Sequence, residues 1–148
     1  MNNFTTSLHD EKTFYRAFLR DIDRAREEII IESPFITSRR MKTLWPSLRG
    51  AYARGVKLYI ITRDPNDHSN GYEMQSEREI ETMEALGIQV LLCIGNHHRK
   101  LAIIDREILW EGSLNILSQI HSREIMRRLD GGGFAVDMFN YLNLGRYI

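Results

Sequence analysis

The sequence predicts an α/β domain in which helices flank both faces of a mixed, mostly parallel β-sheet. Short apolar runs alternate with helix-like segments over the first two thirds of the 148 residues. Such alternation is typical of βαβ units, and unbroken apolar runs are typical of strands buried on both faces. The length suits one hydrophobic core, so residues 1–148 are predicted to form a single domain.

The first two thirds contain segments in the order α-β-α-β-α-β. Helical spacing of Phe14, Phe18 and Ile22 predicts a helix within residues 10–28. The segments that follow are strand 29–36, helix 37–55, strand 56–63, polar loop 64–73, helix 72–87 and strand 88–95. Proline lacks the amide hydrogen of a helix interior, so Pro46 is expected near the first turn of the second helix or at a kink.

The last third is organised differently, because two strand-like runs follow each other with little room between them. These runs, residues 99–105 and 107–113, predict a hairpin that turns through Asp105, Arg106 and Glu107.

Two later segments complete the predicted domain. Residues 122–129 fit a further strand but also a short helix. After three glycines, residues 134–148 are predicted to form a closing helix. Its expected inner face consists of Phe134, Met138, Tyr141 and Leu142.

Composition is that of an ordinary globular protein and shows no global preference for nucleic acid. Twenty Lys and Arg residues balance twenty Asp and Glu residues, although a local basic groove is compatible with this balance. The first residues lack the apolar segment of a signal peptide, and no apolar run is long enough to cross a bilayer. The single cysteine, Cys93, cannot form an internal disulfide. We therefore expect a cytoplasmic protein that does not bind membranes.

Polar side chains lie at the ends of the predicted hairpin. Side chains alternate between the faces of a strand, so His98 and Lys100 share one face and Asp105 has the opposite parity. Ser113 and Asn115 also share parity. If the hairpin turns near residue 106, these four side chains, without the aspartate, meet at one end of two neighbouring strands.

This combination suits chemistry on a phosphoryl group. A lysine neutralises oxygen charge, and serine and asparagine donate hydrogen bonds to phosphate oxygens. Histidine serves as nucleophile, base or acid near neutral pH. No carboxylate-rich metal cage accompanies the set, so phosphodiester chemistry without a metal or another cofactor is predicted.

The spacing His98-x-Lys100, four residues, Asp105, six residues, Gly112-Ser113-x-Asn115 resembles the HxK(x)4D(x)6GSxN motif of the phospholipase D superfamily. The preceding order of helices and strands agrees with that superfamily, so the resemblance covers nearly the whole chain. The likeness is to its small bacterial nuclease branch, and to the nuclease-like modules found with helicases or in phage-defence systems.

The resemblance implies a role for each matching residue. His98 would be the nucleophile that forms a covalent phosphohistidine, and Lys100, Ser113 and Asn115 would hold the phosphate. Glu124 occupies a position where this branch often has an acid that orients the histidine. It could instead be only a surface ion-pair partner of a neighbouring arginine. Asp105 and Gly112 are expected to be structural members of the motif.

The motif occurs once, whereas larger members of the superfamily carry it twice and use two histidines. A second histidine is needed to protonate the leaving oxygen and then to activate water. A two-fold symmetric homodimer supplies it as a second His98, so one active site shared at the dimer interface is predicted.

Other polar residues carry weaker indications. Arg39, Arg63 and Arg99 lie near predicted strand ends, where they could bind a nucleic-acid backbone. His97 has the wrong parity for the site and is expected to pack or to line the groove edge. His68 could be a second acid within the chain, although a solvated loop position fits it better.

Three functions are compatible with these residues. A nuclease that cleaves DNA or RNA without a metal is favoured by the compact motif and the nearby arginines. A phospholipase or small-phosphodiester hydrolase ranks second, because no amphipathic interfacial helix is recognisable. The third is a nucleic-acid-binding module with weak catalysis that works beside a helicase or defence-system partner.

Overall fold

A computed structural model describes residues 3–67 and 73–148 of the chain. The described strands are β1 Phe4–Asp10, β2 Glu28–Glu32, β3 Lys57–Arg63, β4 Gln89–Cys93, β5 Leu101–Ile104, β6 Ile108–Gly112 and β7 Ile125–Gly131. The described α-helices are α1 Phe14–Arg24, α2 Ser38–Ala53, α3 Glu73–Leu86 and α4 Phe134–Tyr141. Short 3₁₀ turns follow β3 at Pro65–Asp67 and α4 at Leu144–Arg146.

The seven strands form one mixed sheet in the order β1-β7-β6-β5-β2-β3-β4. The mixed α/β class is confirmed, but parallel pairing is restricted to β2–β3 and β3–β4. The other four pairs are antiparallel, so the expectation of a mostly parallel sheet overestimated that share. The excess has one cause: after β4 the chain reverses and β5 pairs antiparallel with β2, which the helix–strand alternation did not indicate.

Helices cover both faces of the sheet, as predicted. Buried side chains of α1, α2 and α3 pack on one face, around Phe14, Phe18 and Leu44. The opposite face is covered by α4 and the turn after it, through Ala135 and Phe139. Because β2 and β5 are buried on both faces, the active-site strands grow out of the most rigid part of the molecule.

Strand β1 was missed because it is an edge strand and buries little. Most of its side chains are exposed, so its sequence lacks the apolar run that identified the other strands. Residues 122–129, open between helix and strand, largely form β7, which pairs with both β1 and β6. Helix α1 begins at Phe14, after a loop in which the Asp10 carboxylate accepts hydrogen bonds from the amides of Lys12 and Thr13.

Two helix details differ from expectation. Pro46 lies in the interior of α2, not in its first turn. In α4 the most buried side chains are Ala135 and Phe139, whereas Tyr141 is 87% exposed at the last helical residue. The apolar face is thus shifted by one residue from the predicted one, and Tyr141 projects away from the core.

The β5–β6 hairpin turns through Asp105, Arg106 and Glu107, as predicted. Asp105 and Arg106 have φ values of 53° and 50°, and the Glu107 amide donates to the Ile104 carbonyl at 3.0 Å. The Asp105 carboxylate accepts hydrogen bonds from the amides of residues 26, 27 and 28 at 2.9, 2.8 and 3.0 Å. The turn is thereby joined to the segment that enters β2.

Gly112 ends β6 at a point where the backbone of β7 approaches closely. A Cβ there would lie 2.1 Å from the Ile125 carbonyl oxygen, so Gly112→Ala is expected to destabilise the fold by about 2 kcal/mol or more. Gly55→Ala is the matched control, because Gly55 also has a positive φ but open space around it. We expect it to cost about 1 kcal/mol in urea unfolding. Equal losses would show that no close approach matters at Gly112.

Candidate active site

The predicted site residues line one open cleft of about 1000 Å³ at the end of the sheet opposite the hairpin turn. Its wall includes His98, Lys100, Ser113, Asn115 and Glu124. The antiparallel register of β5 and β6 explains this convergence, because Leu101 faces Glu111 and the residues beyond each strand end leave the sheet side by side.

His98 and Lys100 contact each other directly. The Lys100 ammonium lies 2.6 Å from His98 Nδ1 and donates to the His98 carbonyl at 2.7 Å. Both residues precede β5, which begins at Leu101, so they are not part of the regular strand as the parity argument assumed. The alternation nevertheless holds: His97 and Arg99 turn the other way, and both reach Glu32.

The surroundings of His98 favour its neutral form. Partial burial lowers the pKa of its imidazole, and the charges of Lys100, Arg63 and His97 lower it further. Burial also lowers the pKa of Lys100, against the opposing effect of the Glu124 carboxylate. A neutral imidazole is the form that can act as a nucleophile or base.

Ser113 is fixed to the backbone of β7, whereas the Asn115 side chain has a free acceptor. The Ser113 hydroxyl oxygen accepts from the Ile125 amide at 3.0 Å, and the Ser113 amide donates to the Ile125 carbonyl at 2.9 Å. Asn115 Oδ1 is buried and has no hydrogen-bond partner among the described residues. Leaving a buried polar atom unpaired is costly, so this side chain retains hydrogen-bonding capacity for a ligand.

Glu124 lies beside the phosphate-binding candidates and not beside the histidine of its own chain. Hydrogen bonds from Ser113 and Ser122 lower the pKa of its carboxyl group, and the Lys100 charge adds to this effect. Within the described part of the chain, no hydrogen bond or ion pair joins Glu124 to His98. The carboxylate is therefore ionised and next to Lys100 near neutral pH.

The three arginines predicted to bind substrate occupy different environments. Arg63 donates to the Asp67 carbonyl and to Asn96 Oδ1, and its charge is felt by His98. Arg99 lines the cleft, although its Nε donates to Glu32 at 3.0 Å. Arg39 is exposed in the first turn of α2 and is not part of the cleft wall.

Some cleft residues were not anticipated. Leu8, Ile125 and Tyr141 form an exposed apolar rim, and Glu32 lies buried behind His97. The glutamate had a signal in the sequence, since it is a charged residue that ends a run of three isoleucines. The rim had none, because it joins an edge strand to α4. His68 lies outside the described residues.

The charge of Arg63 leads to a pH-dependent prediction. A neighbouring cation disfavours the imidazolium, so replacing Arg63 with glutamine should raise the pKa of His98. The acidic limb of kcat/KM, which reports the essential base of the free enzyme, should then move to higher pH. Arg26→Gln, an exposed position beside the distant hairpin turn, should leave the limb unchanged. A limb unmoved by Arg63→Gln would contradict the electrostatic account.

Comparisons with known proteins agree with this arrangement. The family described as "Cardiolipin synthase, PLD-like domain" matches residues 18–130. NucT from Helicobacter pylori has a TM-score of 0.70 at 23% identity, over 94% of this chain and 93% of its own. Nuc from Salmonella typhimurium, a phospholipase D family member, has a TM-score of 0.75 at 18% identity, over 94% and 91%.

A third solved structure is longer than this chain. TrmBL2, an archaeal chromatin protein, has a TM-score of 0.65 at 14% identity, over 93% of this chain and 50% of its own. A search of curated proteins found no match.

Fold, site and family match together define an α/β domain of a class that acts on phosphodiesters. The chain belongs to the phospholipase D superfamily, with one PLD-like domain matched over most of its length. Its similarity in fold and length to NucT and Nuc agrees with the bacterial nuclease-like branch predicted from the motif.

Two further observations concern membranes and metals. None of the helices within the described residues is long and apolar enough to cross a bilayer. In residues 3–67 and 73–148, no three His, Cys, Asp or Glu side chains are grouped so that they could hold a metal ion.

Proposed function

We propose that the protein is a metal-independent nuclease that cleaves DNA or RNA through a covalent phosphohistidine at His98. The observation that carries this proposal is the convergence of His98, Lys100, Ser113 and Asn115 on one cleft. A basic neighbour on the imidazole and an unpaired amide oxygen are features that a phosphodiester substrate can use.

In the proposed reaction, a nitrogen of His98 attacks phosphorus while the bond to the leaving oxygen breaks. A second imidazolium donates its proton to that oxygen. The resulting neutral imidazole then takes a proton from water, whose oxygen attacks phosphorus and breaks the N–P bond. Lys100 exchanges its contact with His98 Nδ1 for a phosphate oxygen when substrate binds, and this exchange frees the imidazole.

The second imidazole is proposed to come from a homodimer with one shared site. His98 is exposed in the single chain, and the apolar rim beside it leaves Leu8 61% and Ile125 57% accessible. Such exposed apolar groups are available to a partner surface. Because Glu124 does not contact His98 within the chain, we propose that it orients His98 of the partner subunit.

The dimer can be tested by mass and by subunit mixing. Gel filtration with light scattering should give twice the chain mass under conditions of activity. After exchange with a His98→Ala chain, activity should fall as the square of the wild-type fraction. A monomeric active species, or a linear fall, would contradict the shared site.

The activity itself is tested with a substrate panel in excess chelator. Supercoiled plasmid, single-stranded DNA, single-stranded RNA and duplex RNA would be incubated with wild type and with His98→Ala. We expect wild type to cleave at least one of these and the variant to cleave none. No cleavage by wild type, or equal cleavage by both chains, would reject the proposal.

Two alternatives have specific support. The description of the matching family refers to a lipid-synthesising enzyme, so a phospholipase or small-phosphodiester hydrolase is the second candidate. Headgroup release from phosphatidylcholine vesicles without nucleic-acid cleavage would favour it. TrmBL2 is described as binding DNA, which supports a nucleic-acid-binding module of a helicase or defence system. Binding without turnover would favour that reading.

A further inference from the structure

The segment that carries the proposed nucleophile is not held by the sheet. Strand β4 ends at Cys93 and β5 begins at Leu101, so residues 94–100 lack the hydrogen-bond ladder that fixes a strand. His98 also extends into an open cleft. A nucleophile must nevertheless be positioned within a fraction of an ångström to react efficiently. Other contacts must therefore fix this segment.

Glu32 lies directly behind the segment and is completely buried. It ends β2, where its register partners are Leu101 of β5 and Ile61 of β3. Its Oε1 lies 2.9 Å from His97 Nε2 and 3.0 Å from Arg99 Nε. The His97 side chain is only 8% exposed. Glu32 thus contacts the two residues that alternate with His98 and Lys100.

We propose that Glu32 is a positioning residue for His98: its buried carboxylate holds His97 and Arg99 from behind, so that His98 and Lys100 face the cleft. This inference rests on the proposed role of His98 as nucleophile. It also assigns a function to the first histidine of the pair, which connects the catalytic segment to the core.

The energetic argument depends on the burial of the carboxylate. A fully buried carboxylate is stable only with partners, and here both partners come from the catalytic segment. Any movement of residues 97–100 away from β2 would leave that charge without compensation. Glu32 Oε2 has no hydrogen-bond partner in the described part of the chain, so Oε1 alone makes both contacts.

The first test compares the same substitution at both ends of one strand. Glu32→Gln keeps the shape but removes the charge. Glu28→Gln is the matched control, because Glu28 begins β2 and pairs with Arg106 at 2.9 Å, far from the cleft. We expect Glu32→Gln to lower kcat roughly 10- to 100-fold with a smaller change in KM. Glu28→Gln should behave as wild type.

The second test does not require activity. The pKa of His98 would be measured by NMR titration in both variants. Removing a carboxylate acts electrostatically to lower a histidine pKa, whereas releasing His98 from Lys100 and Arg63 raises it. The proposal predicts a higher pKa in Glu32→Gln and no change in Glu28→Gln. The sign of the shift therefore separates positioning from a simple charge effect.

The outcomes are distinguishable from failure of the proposed function. If wild type cleaves no phosphodiester, the function fails, and the His98 titration alone decides the role of Glu32. An unchanged or lower His98 pKa in Glu32→Gln, or an equal loss of kcat in Glu28→Gln, would overturn the proposal. Should Glu32→Gln fail to fold, His97→Gln replaces it, since it removes one contact and leaves Glu32 paired with Arg99. The same shifts are expected and the same results would overturn it.

Discussion

Replacing His98 with alanine is expected to abolish phosphodiester cleavage and to leave the fold intact. Loss of a covalent nucleophile removes the reaction path and not merely one interaction, so we expect a rate reduction of roughly 10⁴-fold or more. The stability cost should be small, because His98 is exposed and lies in a segment without sheet hydrogen bonds. A large effect on rate without an effect on stability separates a chemical role from a structural one.

The measurement is the initial rate on the best nucleic-acid substrate in chelator, together with thermal unfolding. His9→Ala is a suitable control, because Leu8 lines the cleft while His9 lies against Trp110, with ring centroids 5.0 Å apart. We expect this variant to retain its rate. A covalent phosphohistidine, trapped by acid quenching of wild type and absent from His98→Ala, would identify the intermediate. Residual cleavage near the wild-type rate would exclude His98 as nucleophile.

The contact between Lys100 and His98 links the substrate-free chain to the proposed reaction. With the ammonium at Nδ1, the imidazole is kept neutral, but the same lone pair is occupied. A bound phosphate offers the ammonium a stronger, charged acceptor. Substrate therefore both recruits the lysine and releases the histidine, so the residues that recognise phosphate also control when the nucleophile becomes available.

Local chemistry predicted most of the site, because the motif residues lie close together in sequence. The separation of His98 and Lys100 from His97 and Arg99 followed from strand alternation, and it persists just outside the regular strand. The hairpin at Asp105 followed from two apolar runs with little room between them.

What could not be predicted depends on contacts between distant parts of the chain. Glu32 and Arg99 are 67 residues apart, and no pattern in either segment indicates the other. Strand β1 is stabilised by pairing with β7, so its own exposed sequence carries little signal. The direction in which β5 pairs with β2 is likewise a tertiary choice, and the mostly parallel sheet was wrong for that reason.

The second large effect is expected at Asp105, the motif aspartate, and it concerns stability. Its carboxylate accepts three backbone hydrogen bonds that join the hairpin turn to a segment 77 to 79 residues earlier in the chain. Its φ of 53° is also unfavourable for alanine. Removing both contributions in Asp105→Ala should lower the free energy of unfolding by roughly 3 kcal/mol.

Two comparisons make the Asp105 prediction specific. Asp105→Asn should cost less, because asparagine tolerates the left-handed conformation and retains an oxygen that can accept from Glu27 and Glu28. Asp10→Ala removes a carboxylate that also accepts two amides, but only from residues two and three positions later. It should cost about 1 kcal/mol.

Urea unfolding of the three variants gives the stabilities, and cleavage rates per folded molecule give the chemistry. Since Asp105 lies at the end of β5 opposite the cleft, the folded fraction of Asp105→Ala should retain the wild-type rate. A variant as stable as wild type, or one that loses its rate while remaining folded, would show that the motif aspartate acts in the reaction and not in the turn.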